Sequence, residues 1–308
     1  MWSDFLVLRI AIEESDMFAI VGAAGNVGYA TARALREANV PVRAIVRDAA
    51  KVARLREIGC DIAIADLRDA KALATAIGDV DAVQIILPAA LQAQDIKGEM
   101  HRAIESLAGA LEQATPGRLL AISDYGAHVA DDIGMPTVFH AFEERLGRIN
   151  GHKLILRSAE HMHNWGRAIP VAMASGILPS FHDPLDKVFP TIAAPDLGLI
   201  AAGLLMRPAS ERNLEIVHAE GPRRYSAQDV AAALSELVGR TITAQAVPRS
   251  QWKEAFERGV SASTADLLIR TNDAQNKGGL VDVESDASEV CYGTTALIDA
   301  LRPLLPRQ

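Results

Sequence analysis

The stretch from Phe18 to Leu35, FAIVGAAGNVGYATARAL, leaves a folding chain few choices. Four apolar residues suit a buried strand, Gly22, Gly25 and Gly28 follow in GxxGxxG spacing, and Val27, Ala30, Thr31, Ala34, Leu35 and Ala38 recur at helical intervals. Glycines placed this way permit a tight strand-to-helix turn, bring backbone N–H groups close to a pyrophosphate and let the helix pack against the sheet. The helix starting near Asn26 then offers free N–H groups and the positive end of its dipole to an anion. A dinucleotide is the ligand such a turn is built to take.

The same unit repeats along the chain. Short apolar runs at 18–21, 42–46, 61–64, 82–87, 118–122, 153–156 and, more weakly, 214–218 read as strands, and segments 49–58, 68–77, 98–114 and 136–149 read as the crossing helices. Several strands are apolar on consecutive residues, so both faces should be covered. The expected fold is α/β, a Rossmann-type doubly wound parallel sheet with a smaller, mainly helical substrate-binding domain. At ~150 residues per domain the 308-residue chain divides into an extension at 1–16, a dinucleotide-binding domain at 17–157 and a smaller region at 158–308. In that last region 227–238, 250–258 and 262–275 look helical, while 214–218 should return to the main sheet.

Composition removes other classes. With 49% apolar and 23% charged residues, 22 Gly and 14 Pro, the chain is neither disordered nor collagen-like. The longest apolar or glycine run, Leu197 to Met206, falls well short of the ~20 residues a membrane helix needs. The opening MWSDFLVLRI lacks a small-residue cleavage site, so a cytoplasmic location is expected. A net charge of −8 with no run of Lys or Arg argues against nucleic acid. Cys60 and Cys291 are too few for a disulfide framework or a thiolate zinc site.

Selectivity is read just past the second and third strands. Where an acidic side chain would meet the ribose hydroxyls of NAD, this chain has Arg47, a planar cation able to fork onto a 2′-phosphate, followed by Asp48. The expectation is NADP(H), with Asp48 leaving NAD(H) open. Arg43 and Lys51 are further cations nearby. Asp66 can face an adenine amino group or cap the helix after Arg68.

Taken together, VGAAGNVG, AIVRD, IADLRD and QIILP resemble the NmrA-like branch of the atypical short-chain dehydrogenases, and the likeness runs on through AISDYGAH, HAFEERL, LILRSAEHMHNW, YSAQDVAAALSELVGR and NDAQNKGGLVDVE. It covers nearly everything from Met17 onward and looks greatest toward that branch's flavin-free, NAD(P)H-dependent azoreductases. The resemblance implies Gly22, Gly25, Asn26, Val27 and Gly28 under the pyrophosphate, Arg47 at the 2′-phosphate and Asp66 at adenine. It also implies Leu87 and Pro88 beside the nicotinamide ribose, Ser123 in the place of the usual site serine, and Arg157 beside the carboxamide.

One departure bears on chemistry. Short-chain dehydrogenases use a Tyr and a Lys four residues apart, whereas here Tyr29, Tyr125, Tyr225 and Tyr292 precede Arg33, Val129, Asp229 and Ala296. Where many NmrA-like chains carry Lys ahead of Glu-x-x-Leu, this one has Phe139 and His140. Ordinary alcohol oxidation is therefore disfavoured. The proton donors to consider are Tyr125, His140 and His161, with His128 and His163 behind them. His161 and His163 lack the companion ligands of a metal site, and Glu143 and Glu144 read as a solvated helix face. Asn164 and Trp165 suit either an aromatic pocket or domain-interface core.

The function expected is NADPH-dependent hydride transfer to an aromatic azo or quinone-like acceptor, with neither flavin nor metal. A dinucleotide-sensing regulator that catalyses nothing, and a reductase of another C=C or C=N substrate, are the alternatives. The expected partner is a small aromatic molecule, not nucleic acid or membrane, and the expected state is monomer or homodimer.

Overall fold

The computed structural model describes residues 16–208, 212–285, 287 and 289–306. The extension expected at 1–16 lies outside them except for its last residue.

From Met17 the chain alternates as expected. Strands β1 (Phe18–Val21), β2 (Val42–Val46), β3 (Asp61–Ile64), β4 (Ala82–Ile86), β5 (Arg118–Asp124) and β6 (His152–Ser158) are separated by helices α1 (Asn26–Glu37), α2 (Ala53–Glu57), α3 (Ala70–Ile77), α4 (Ile96–Ala114) and α5 (Met135–Gly147). Beyond β6 come β7 (Glu160–His161), α6 (Ile169–Ser175), β8 (Ile177–Ser180), β9 (Thr191–Ile192), α7 (Ala194–Met206) and β10 (Leu214–Glu220). The chain closes with α8 (Ala227–Val238), β11 (Thr243–Ala246), α9 (Trp252–Glu257), α10 (Ala262–Lys277), β12 (Val290–Tyr292) and α11 (Leu297–Leu301).

Eight strands form one parallel sheet in the order β12-β10-β6-β5-β4-β1-β2-β3. Strand order reverses at β1, so the connections leaving β1 and β4 diverge and open a crevice at the carboxyl ends. Alternation sorts the side chains into two cores. Phe18, Ile20, Leu120, Ile122, Leu154 and Leu156 face α1 and α7, while Ala19, Val21, Val83, Ile85, Leu119 and Ala121 face α3, α4 and α5.

Helix α7 holds the apolar run from Leu197 to Met206 and lies against α1. Gly198 makes the approach close: a Cβ there would sit 2.6 Å from both the Ala30 Cβ and the Val27 carbonyl oxygen. Residues 158–308 are thus not a separate lobe throughout, because α7, β10 and β12 complete the main sheet and its cover. The remainder builds a third core, in which Met162, Trp165, Ile169, Leu178, Phe189 and Val230 pack together between α6, α8 and α11. Trp165 is therefore core. No helix among the described residues is long and apolar enough to cross a membrane.

Candidate active site

The glycine turn follows β1 directly. Gly22 adopts φ +77, and a Cβ there would stand 3.0 Å from Ile86 Cγ2 at the end of β4. The Gly25 amide closes the turn onto the Gly22 carbonyl at 3.0 Å. Gly28 is required by proximity, since its Cβ would lie 2.6 Å from the Gly22 oxygen and 2.9 Å from Ala23 Cα. Gly25 is the N-cap of α1 and contributes no side chain, and the first turn, with Asn26, Val27 and Gly28, holds no acid. The N-terminal amides and the positive dipole end therefore face the crevice without a side-chain cap, ready for an anion.

Arg47, just past β2, is exposed and has no ion-pair partner among the described residues. Asp48 caps the short turn at Ala49–Lys51, accepting from the Ala50 amide at 2.9 Å, which directs its carboxylate to its own backbone. Asp66 is exposed and accepts from the Arg68 amide at 3.0 Å. The helix after it is capped by Asp69, through the Ala72 amide at 2.9 Å, so the capping role considered for Asp66 belongs to its neighbour.

Arg54 is a residue that sequence reasoning missed. Its guanidinium lies 4.1 Å over the Tyr29 ring of α1 and donates to the Ala24 carbonyl, inside the glycine turn, at 2.6 Å. Tyr29 and Arg54 are twenty-five positions apart, and no local spacing rule links them.

Just past β4, Leu87 is buried and Pro88 exposed. Ser123 near the end of β5 donates to Glu143 Oε1 at 2.5 Å. Arg157 of β6 is only 4% exposed, and its guanidinium forks onto Glu143 at 2.7 and 3.0 Å and also binds Glu284. The side chain that the resemblance put beside a carboxamide is thus fully engaged within the protein. Glu143 is correspondingly no solvated helix residue: the Arg157 fork and the Ser123 hydroxyl draw it in, while Glu144 stays exposed.

The segment after α10 closes over these groups. Glu284 also approaches His218 Nε2 at 2.6 Å and His128 Nδ1 at 3.6 Å. Burial opposes ionisation of Glu284, but its own backbone amide, Arg157 and the two histidines outweigh it and hold the carboxyl below its ordinary range. Two residues earlier Asp282 pairs with Arg224 at 2.6 Å, and Arg224 pairs in turn with Glu220 at 2.8 Å.

The expected proton donors fare unequally. Tyr125 is 1% exposed, donates to Glu220 Oε1 at 3.2 Å and meets the His218 ring edge-on at 5.3 Å. Burial first, then the Glu220 charge, pushes its phenol far up, and its hydroxyl is committed to a hydrogen bond within the core. His140 Nδ1 lies 2.7 Å from the Ala127 carbonyl, a contact only an N–H can satisfy, which leaves Nε2 toward Glu144 at 3.7 Å. His161 stacks near His163 at 5.1 Å, and burial drives it down to about 4, so it carries no titrating proton near neutrality. Among the described residues no group of three or more His, Cys, Asp or Glu side chains converges on a metal position.

Asp124, the last residue of β5, was not singled out from sequence. Burial pushes its carboxyl up to about 7, with the Glu160 and Glu143 charges adding to the shift. Asp124 follows Ser123, and its flanking motif already carried the resemblance; what sequence could not supply was the company of Glu160 and Glu143.

Comparison with known proteins bears on this crevice. Residues 22–157 match the family described as NAD(P)H-binding. The matched segment spans somewhat under half of the chain. It contains the glycine turn, Arg47, Asp66, Ser123 and Arg157, while Glu220 and Glu284 lie outside it. Over 254 residues the chain is 28% identical to an NAD(P)H azoreductase of Xenophilus azovorans, covering 82% of this chain and 85% of that one. It is 23% identical to Quinone oxidoreductase 2 of Escherichia coli strain K12, covering 94% and 98%.

Two solved structures share the fold. The NADPH-dependent quinone oxidoreductase of Escherichia coli complexed with NADPH superposes with a TM-score of 0.77 at 22% identity, covering 94% of this chain and 99% of that one. The triphenylmethane reductase of a Citrobacter species complexed with NADP(H) gives 0.77 at 19% identity, covering 94% and 100%. The doubly wound fold expected from the glycine turn is borne out, and the NAD(P)H-binding match begins at that turn. The turn itself fits such a ligand, because Gly25 at the N-cap carries no side chain and the first amides of α1 have no side-chain cap.

Proposed function

We propose that the protein is an NADPH-dependent reductase that passes hydride to an aromatic azo or quinone-like acceptor without flavin. The observation that carries this reading is a crevice with an uncapped α1 N-terminus and an unpaired Arg47, in a chain that aligns along 85% of an NAD(P)H azoreductase. The amides of Asn26, Val27 and Gly28 would hold the diphosphate, Arg47 the 2′-phosphate and Asp66 the adenine edge. The nicotinamide, when bound, supplies the hydride.

This chain's residues then bind, orient and exclude water. Leu87 and Pro88 would flank the ribose, and the Ser123–Glu143–Arg157–Glu284 network fixes the shape of the crevice beyond it. The acceptor would be held between the carboxyl ends of β5 and β6 and the C-terminal helices, so that orientation carries much of the rate. Such an enzyme works in the cytoplasm, as a monomer or homodimer, on small aromatic molecules.

The second reading is a sensor that binds NADP(H) and catalyses nothing. It is favoured by the engagement of Tyr125 with Glu220 and by the lack of any Tyr followed four residues later by Lys. NADPH absorbance followed with a panel of aryl azo dyes and quinones separates the two. Acceptor-dependent loss of NADPH supports the reductase, and tight binding with no oxidation across the panel supports the sensor.

A further inference from the structure

We propose that Asp124 is the acid of this site, the group that hands a proton to the acceptor as hydride reaches it. The proposal rests on the reductase reading and assigns a residue that the sequence left out.

Position comes first. Ile86, whose Cγ2 lies beside Gly22, is paired across the sheet with Ile122, and both belong to the core on the α1 face. Asp124 stands two residues further along β5 on that face, so its side chain emerges past the tip of β4 where the crevice opens. It is only partly exposed, closely surrounded yet still reached by solvent.

Hydrogen bonding decides which carboxyl holds the proton. Asp124 on β5 feels the negative charges of two other acids, Glu160 from β7 and Glu143 from α5. Glu143 accepts from the Arg157 fork and from the Ser123 hydroxyl. Glu160 is approached by Asn164 Nδ2 at 3.4 Å, Gln275 Nε2 at 3.3 Å and His182 Nε2 at 3.6 Å. Asp124 has no side-chain donor among the described residues, and only the Tyr125 backbone amide favours its charged form. Burial and neighbouring like charges both favour the protonated carboxyl, and Asp124 has no described side-chain donor to oppose them.

The remaining donors are engaged or empty. Tyr125 donates to Glu220, His140 donates through Nδ1 to Ala127, and His161 is neutral. Asp124 instead titrates near neutral pH and can cycle between acid and carboxylate.

The step balances. The acceptor gains two electrons and one hydrogen as hydride; the Asp124 O–H bond breaks and its proton completes the second new bond. A quinone leaves as hydroquinone, or an azo N=N as a hydrazo N–N bearing two hydrogens. The Asp124 carboxylate is then recharged by a proton from water.

The test compares wild type, Asp124→Asn and Asp124→Ser for NADPH affinity, acceptor reduction and pH dependence. Wild type must first oxidise NADPH with an acceptor. If it binds NADPH but turns over none of the panel, the reductase reading fails and takes this proposal with it. Given turnover, kcat should fall as pH rises through about 7, because the proton is then lost from the donor. Both variants should keep NADPH affinity within about twofold while losing on the order of 100-fold in kcat, and that pH dependence should vanish.

A readout independent of turnover is carbon-13 NMR of aspartate-labelled protein, in which a carboxyl titrating near neutrality should be present in wild type and absent in Asp124→Asn. Should neither variant fold, the same resonance in wild type still answers the question, since no aspartate carboxyl titrating above pH 6 overturns the proposal. A kcat within threefold of wild type in Asp124→Asn with an unchanged pH profile overturns it while leaving the reductase reading intact. So does transfer of the whole pH effect to His140→Gln.

Discussion

Replacing Arg47 with alanine should change coenzyme choice and little else. The side chain ends β2 in solvent and pairs with no described residue, so its removal leaves no buried group unsatisfied and should move stability by less than about 0.5 kcal/mol. A charge-assisted hydrogen bond contributes about 1.5–3 kcal/mol. Solvent exposure of Arg47 puts the expected loss at the lower end, about 1.5–2 kcal/mol, or roughly 10- to 30-fold in Kd for NADPH. NADH has no phosphate on its 2′ oxygen, and its Kd should change by less than about twofold. Arg54, fixed over Tyr29 and tied to Ala24, is a separate cation at the same mouth and limits the loss. Calorimetric titration of both coenzymes into both proteins, at low and moderate salt, reads the effect directly. The NADPH penalty should shrink as salt rises. Equal losses for NADPH and NADH would refute the 2′-phosphate role.

Further expectations follow from the packing and the ion network. Glu143→Gln removes one charge from a fork on a buried guanidinium that keeps Glu284, so urea denaturation should show a loss of about 3 kcal/mol; a loss under 1 kcal/mol would mean the pair is dispensable. Gly198→Ala puts a methyl 2.6 Å from Ala30 Cβ and should cost about 1–3 kcal/mol by separating α7 from α1, seen as a lowered Tm; an unchanged Tm would contradict that contact. Because Asp124 holds its proton to about pH 7 folded but only to about pH 4 unfolded, it favours the folded state fully below pH 4, and that contribution is lost as pH rises to 7. Wild type should therefore lose stability relative to Asp124→Asn across that window, and parallel stability curves would contradict the raised value.

Local patterning made much of this fold readable. The runs at 18–21, 42–46 and 61–64 are strands over those residues because stretches rich in Val and Ile end at Gly22, at Arg47 with Asp48, and just before Asp66. Helix α8 has the bounds expected, set by a capping box of Ser226 with Asp229 and by Gly239 in the left-handed region. Helix α7 escaped for the opposite reason: buried between α1 and the sheet, it is apolar on nearly every side and shows no amphipathic period. Strand β12 is three residues long, and its register against β10 is set by a partner some seventy positions away.

The site divides along the same line. The glycine turn and Arg47 are contiguous with the elements that place them, so spacing alone located them. Arg157, Glu143 and Glu284 meet across separations of 14 and 127 residues, and Tyr125 turns inward because Glu220 waits on β10. Local patterns cannot signal such meetings, and the assignment of proton donors depends on them.

The central claim is that a reduced pyridine nucleotide seats its diphosphate on the uncapped amides at the start of α1. Titration of NADPH into nitrogen-15-labelled protein tests it most directly. Saturable shifts should concentrate at the amides of Gly25, Asn26, Val27 and Gly28, with the Arg47 side chain moving for NADPH but not for NADH. Saturation that leaves those amides unmoved, or no binding at millimolar nucleotide, would contradict it.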